Sequence, residues 1–461
     1  MYNRIITEKE AMHVDAQEQK FIAMTQPPVS GIICRLAVPC IISMLVTAFY
    51  NMADTFFVGM LHSNAATGAV GVVFSMMAII QAVGFFFGQG SGNYISRMMG
   101  QKHYEEARIM AANGFFTAIG AGILICILGQ IFLEPLSYLL GSTDTILPYT
   151  KDYLRIILFG APWMTASLVL NNQLRFQGSA AYAMVGITLG AVLNIALDPL
   201  LIFTFHMGVA GAGLATIISQ FVSFVVLLIG CSKGSNIRIS IRNFKLNGHY
   251  LKHIFKGGLP SLARQSIASI ATICLNNTAR PYGDVVIAAM GVVQRIMQFG
   301  ASAMIGFGQG FQPFCGFNYG AKLIDRVKKG FWFCVKGSFG FLCLVSVLGF
   351  IFAPQLVSIF RDDPQVIACG ALALRLQCCS FPFQSFIVMS NMMQQVTGRT
   401  GPATFMAIAR QGIFFIPAVL FLPMAFGVLG IQMAQAVSDL CTLLCAIPLQ
   451  MYILRSVSQE N

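Results

Sequence analysis

Apolar residues fill this chain in stretches of about 20 or more, separated by short polar segments. A stretch of ~20 apolar residues is long enough to cross a ~30 Å hydrocarbon core as a helix. The pattern predicts twelve spans, roughly 32–61, 65–98, 109–132, 151–175, 181–204, 208–231, 253–280, 285–319, 329–353, 366–397, 401–424 and 427–454. Six precede a basic segment at about 232–252 and six follow it. The predicted fold is an all-α polytopic membrane protein, with twelve transmembrane helices in two pseudo-symmetric six-helix lobes. The lobes are placed at 32–231 and 253–455, with a tail at 1–31, the linker at 232–252 and a short tail at 456–461.

The two sets of spans repeat one another at an offset of 220. AVGVV at 69–73 returns as AMGVV at 289–293, and FGQG at 87–90 returns as FGQG at 307–310. Gly100, Lys102, Arg155, Pro162 and Gly178 return as Gly320, Lys322, Arg375, Pro382 and Gly398. Six helices bring the chain back to its starting side, so both copies have one orientation and relate by an axis along the membrane normal. Repeats of this kind in membrane chains place a binding site at their interface, which makes transport the first functional expectation. The FGQGSG run at 87–92 lies inside a span, with no preceding strand and no following Lys-Ser/Thr, so it is read as close helix packing rather than a phosphate loop. Pro39, Pro162, Pro260 and Pro382 interrupt the backbone ladder inside spans and permit kinks.

Composition supports the membrane reading and removes others. Charged residues are 10% and hydrophobic residues 56% of 461, against about 25% charged in a soluble protein. The net charge of +12 invites a nucleic-acid reading, but its distribution points to a membrane surface. With the N-terminus in the cytoplasm, the inner loops carry Arg97, Lys102, Arg108, Arg175, Lys233, Arg238, Arg242, Lys245, Lys252, Lys256, Lys322, Arg326, Lys328, Lys329 and Arg399. The outer loops carry only Lys151, Arg280 and Arg361, each with acids nearby. This asymmetry is the positive-inside rule, so both termini are expected in the cytoplasm and no nucleic-acid partner is expected. The polar first 30 residues contain no cleavable signal pattern. Thirteen cysteines, odd in number and without CxxC pairs, read as small hydrophobes rather than a disulfide or zinc framework.

Three acids fall deep within spans: Asp54, Asp198 and Asp439. A carboxylate at bilayer depth costs about 2.5–3.5 kcal/mol on insertion scales, and such residues usually face a cavity or a partner. Asp54 lies 19 residues beyond Arg35, or about 28 Å, and Asp198 lies 16 residues beyond Tyr182, or about 24 Å. Both helices start at the cytoplasmic side, so the two carboxylates reach similar depth in the outer half of the membrane. Tyr50 lies one turn from Asp54 and Asn194 one turn from Asp198, each on its acid's face. Such a cluster suits a proton or a small cation, because two close carboxylates in low dielectric hinder each other's ionisation. The alternative is a purely structural hydrogen-bond network. Asp439 lies about 18 Å into the last span and Arg295 about 15 Å into its own, depths that allow a buried ion pair; Arg410 or Arg264 are able to serve instead. A structural role is expected for that pair, since a lone buried charge costs far more. Asn171 and Asn172 in the fourth span are candidates for a polar cavity lining, or for a helix-end role. The six histidines fall in the tail, in loops or at span edges, and no Ser-His-Asp set or metal-ligand spacing appears in a span, so no enzyme activity is expected.

These residues resemble the MATE family of multidrug and toxic-compound extrusion transporters over about 35–455, and look closest to its MepA-like bacterial branch. PCIISMLVTAFYNMADTFFVG (39–59) is similar to the family's Pro…YN…DTFFVG pattern, LNIALDPLLIF (193–203) to its LN…LDP pattern, and GVAGAGLATIISQ (208–220) to the helix that follows. The resemblance implies two six-helix lobes around a central cavity and exchange of a drug-like, often cationic substrate for protons or sodium. It implies that Asp54, Asn194 and Asp198 match the first-lobe cation-site positions, with Thr216 aligned to the same site, Tyr50 lining it and Pro39 matching the bending proline. Some members place a cation site in the second lobe on an acid of its first helix; this sequence has Arg264, Asn276 and Asn277 there and no acid.

The expectation is therefore an antiporter of the bacterial inner membrane, acting as a monomer, that exports organic cations or amphipathic drugs and needs no cofactor. Its coupling ion is a proton or sodium, and the only metal expected is a sodium at Asp54/Asp198. The rival is a flippase for a lipid-linked oligosaccharide, on a related two-lobe fold, whose cavity would need positive charge; Arg264, Arg295, Arg375 and Arg410 keep it in view.

Overall fold

Hydrocarbon offers backbone N–H and C=O groups no partner, so each apolar stretch satisfies them internally as a helix. The computed structural model describes residues 17–60 and 64–459. Twelve long helical segments are found among them: α1 Val29–Gly59, α2 Asn64–Gly100, α3 Tyr104–Ile131, α4 Leu147–Phe176, α5 Ala180–Pro199, α6 Gly208–Cys231, α7 Gly248–Ala279, α8 Asp284–Gly320, α9 Ile324–Ile351, α10 Pro364–Ser380 with Gln384–Val396, α11 Thr400–Ile408 with Phe415–Phe426, and α12 Val428–Gln459. The twelve-helix expectation holds. Eleven are long and apolar enough to span a membrane by composition alone. The exception is α7, whose middle reads ARQSIAS and whose later turns carry Thr272, Asn276 and Asn277. The histidines at 13 and 62 lie outside the described residues.

Prolines mark the irregular points. Pro199 ends the regular part of α5, and a π turn follows at Leu200–Thr204. Pro382 sits in a 3-10 turn, Phe381–Phe383, that divides α10. A second π turn, Ala409–Ile413, interrupts α11. The loop pattern did not predict two short helices, Leu133–Leu139 after α3 and Ala353–Phe360 after α9. They are too short to register as spans, and they begin one repeat length apart. Residues 17–25 are also helical, where a plain tail was expected, and Lys20 Nζ donates to Ser179 Oγ (2.9 Å) and Asn236 Oδ1 (2.8 Å).

The chain divides into two units, one of residues 1–27 and 42–258 and one of residues 28–41 and 259–461. The first change of unit lies between Pro27 and Pro28, ahead of α1, and the other two fall inside a helix beside a proline: two residues after Pro39 in α1 and just before Pro260 in α7.

Within each unit the repeated glycines do the same work. A Cβ on Gly90 of α2 would sit 2.2 Å from the Ile254 carbonyl oxygen of α7, and one on Gly310 of α8 would sit 2.5 Å from the Ala37 Cα of α1. Gly88 would meet Asn172 of α4, and Gly308 would meet Met392 of α10, one repeat away. The FGQG strings are close-packing surfaces, as expected from sequence. Backbone cannot yield as a flexible side chain can, so Gly90→Ala and Gly310→Ala are each expected to cost about 1–3 kcal/mol. Gly120→Ala, where an added Cβ meets nothing within 4 Å, should be neutral. Thermal unfolding of the three purified variants checks this; an unchanged midpoint for Gly90→Ala would contradict the packing role.

Candidate ion site in the first unit

The acid cluster assembles on three helices of the first unit, with a fourth supplying a tyrosine. Asp54 lies near the end of α1, and Asp198 and Asn194 lie one turn apart on α5. Thr216 comes from α6 and Tyr153 from α4. Asp198 is fully buried, Asn194 and Thr216 are 1% exposed, and Tyr153 is fully buried. Oriented to satisfy both neighbours, the Asn194 amide donates to Asp198 Oδ2 (3.1 Å) and accepts from the Thr216 backbone N–H (3.2 Å). The Thr216 hydroxyl donates back to the Ala212 carbonyl (3.0 Å). Asp54 and Asp198 interact electrostatically, and both act on the phenols of Tyr50 and Tyr153. Tyr50 and Asp54 are themselves only partly buried.

Three buried oxygens in this cluster have no hydrogen-bond partner among the described residues: Asp54 Oδ1, Asp198 Oδ1 and the Tyr153 hydroxyl. Buried polar atoms are normally paired, so three orphans in one cluster mark a place built for something more. All three are oxygens, which suits a proton or a hard cation. The π turn directly after Asp198 and Pro199 shifts the helix register beside the acid, a feature frequent at functional sites. Tyr153 was missed from sequence. Its signal was a phenol in the outer third of a span, but nothing linear ties it to Asp54, about 100 residues away.

Asn171 and Asn172 are both buried and engaged in hydrogen bonds. Asn171 is 8% exposed and donates to the Ala183 carbonyl (3.2 Å), tying α4 to α5. One repeat away, Asn391 donates to the Ala403 carbonyl (2.6 Å), tying α10 to α11. A bond present in both units belongs to the architecture. Asn172 is fully buried and accepts from Gln89 Nε2 (3.1 Å) and Arg175 (2.6 Å).

The buried ion pair of the second unit also needs correction. Asp439 on α12 pairs with Arg410 of the α11 π turn (Nε to Oδ1, 2.7 Å), not with Arg295. Gln435 completes Oδ1 (2.9 Å), while Gln384 (2.9 Å) and Ser380 (3.3 Å) from the α10 break donate to Oδ2. The Ser438 hydroxyl donates to the Arg410 carbonyl. Arg295 is exposed on α8. Matching depths allowed either arginine; the side of the helix that each occupies decided between them.

Comparison with known proteins agrees with the repeat and the helical fold. The MatE family profile matches the chain twice, over residues 39–200 and 260–421, once in each half. The multidrug export protein MepA of Staphylococcus aureus (strain MRSA252) is 27% identical over 445 residues, covering 95% of this chain and 97% of that one. The multidrug export protein MepA of Staphylococcus haemolyticus (strain JCSC1435) is 27% identical over 410 residues, covering 87% and 89%. A solved structure described as the outward-facing conformation of a multidrug resistance MATE family transporter of the MOP superfamily superposes with a TM-score of 0.89 at 25% identity, covering 95% and 98%.

Proposed function

This chain belongs to the MatE family, and on that premise we propose that it is a multidrug efflux antiporter. It exports cationic or amphipathic drug-like molecules across a bacterial inner membrane in exchange for protons or sodium, as a monomer with both termini in the cytoplasm. Support for coupling in the first unit comes from the orphaned oxygens of Asp54, Asp198 and Tyr153. The multidrug export relatives support the cargo.

Asp198 carries the charge that binds the ion, held from one side by Asn194 and open on Oδ1. Asp54 adds the second carboxylate, while Thr216 and the phenols of Tyr50 and Tyr153 complete an oxygen-lined site. An ion shifts a two-state protein only by binding one state more tightly than the other. Neutralising two carboxylates lowers the cost of burying them, so the loaded site favours the state in which it is closed from water. Pro39 supplies the weak point in α1, where one backbone hydrogen bond is missing. Cargo and ion then exclude each other by favouring opposite states, and the gradient of one drives the other.

The test uses purified protein in liposomes loaded with a cationic fluorescent dye, under an imposed proton or sodium gradient. Dye movement is expected to be faster under one of the two gradients than the passive movement that remains when both are collapsed. Movement that ignores both gradients would overturn the antiport reading.

A further inference from the structure

The repeat places matching faces on α2 and α8, and the two faces differ in chemistry. On α2 the exposed positions are Gly71, Phe74, Ser75 and Ile79, with Ala78 partly exposed. One repeat later the exposed positions on α8 are Gly291, Gln294, Arg295, Gln298 and Phe299. The exposed positions Gly71, Phe74, Ser75 and Ile79 are matched by exposed Gly291, Gln294, Arg295 and Phe299, so the two faces share a frame. Phe74 is replaced by Gln294, Ser75 by Arg295 and Ala78 by Gln298. An apolar face in the first unit has become a polar, basic one in the second.

Lipid does not account for this face. Arg295 lies 11 residues into α8, about 17 Å at 1.5 Å per residue. An arginine facing acyl chains at that depth is costly, and intramembrane charges turn instead toward protein or water. The opposite side of α8 packs Val286, Ala289, Met290 and Val293 into the core of the unit, together with Ala271 and Leu275 of α7. On α7 the neighbouring face is again polar and exposed, with Ser269, Thr272 and Asn276 at helical spacing, while Ile270 and Ile273 form a separate apolar strip. Arg295 makes no ion pair among the described residues, and the one deep acid of this unit, Asp439, is already held by Arg410. Among the described residues no hydrogen bond engages its guanidinium, and two amides flank it on the same helix face.

We infer that the Gln294–Arg295–Gln298 face of the second unit recognises the anionic group of an amphiphilic cargo, a carboxylate in the first instance. Guanidinium and carboxylate match as planar, bidentate partners, and the amides of Gln294 and Gln298 supply further donors one turn apart. This deepens the proposed efflux function by naming a cargo class. It predicts preference for zwitterionic over purely cationic drugs, the reverse of what the acids of the first unit alone would select.

The test is equilibrium binding to the full-length protein in lipid nanodiscs without any gradient. The probes are a cationic xanthene dye with a free carboxylate and its methyl ester, read by fluorescence polarisation. The acid is expected to bind the parent about tenfold more tightly than the ester, a difference of about 1.4 kcal/mol. Arg295→Gln should remove that preference and leave ester affinity within about twofold, and Arg295→Lys should restore part of it, because it keeps the charge without the fork. Equal affinity for acid and ester in the parent would overturn the inference, as would equal losses for both dyes in Arg295→Gln. Because binding is read without a gradient, loss of coupled transport with the acid preference intact would sink the antiport reading and leave this one standing.

Discussion

Gradient-driven efflux is expected to fall at least tenfold when Asp198 is replaced by Asn, and to fall similarly with Asp54→Asn. The substitution is close to isosteric, so the fold and the Asn194 contact survive while the charge does not. Asp198 is fully buried on a helix whose Oδ1 faces no donor. An amide there neither takes up a proton nor neutralises a cation. Efflux down the dye's own concentration gradient should persist, since the path for cargo is untouched. The informative comparison is therefore the ratio of driven to passive dye movement in liposomes, parent against variant. Tyr153→Phe is the companion variant. It removes one orphaned hydroxyl without changing charge, and is expected to weaken ion dependence by a smaller factor than either acid. If both Asn variants kept full gradient-driven efflux, the first-unit cluster would be a structural network and the coupling ion would bind elsewhere.

Arg410→Ala should be the most destabilising single change in the second unit. Asp439 is 1% exposed and depends on four donors, of which Arg410 alone carries charge. Removing the cation leaves a buried carboxylate with amides and a hydroxyl only, a loss of about 3–5 kcal/mol for a buried pair. The lower end applies, because the Arg410 side chain keeps 26% exposure. Asp439→Asn should cost less, since its carbonyl still accepts from Gln384 and Gln435. The double change Arg410→Met with Asp439→Leu should recover much of the loss, as apolar replacements of buried pairs often do. Thermal unfolding of the four proteins in one detergent decides it. Arg410→Ala with the parent's midpoint would mean that the pair carries no stability.

The corrections share one physical cause. Counting residues along a helix gives depth at 1.5 Å each, and the depths of Asp54, Asp198 and Asp439 were read that way. Depth does not say which way a side chain points relative to another helix. Arg295 and Arg410 were therefore both admissible partners for Asp439, and only the packing of α11 against α12 chose Arg410. An amide in a span needs partners, and sequence does not name them; the Asn171 amide donates to the Ala183 carbonyl of the adjacent helix. Tyr153 carried no linear link to the acids, so its place beside them emerged only with the fold.

By itself, the sequence determined what depends on local chemistry and on counting. Eleven spans follow from apolar length, the two matched halves from the repeat, and the glycine contact surfaces from strings that recur at one offset. It also placed two carboxylates at one depth. The tertiary structure alone decided partners: which arginine neutralises Asp439, which tyrosine joins the acid cluster, and that α1 and α7 each change unit beside a proline. Depth is set along one helix axis by the bilayer, whereas partnership is set by the rotation and docking of helices that lie far apart in the chain.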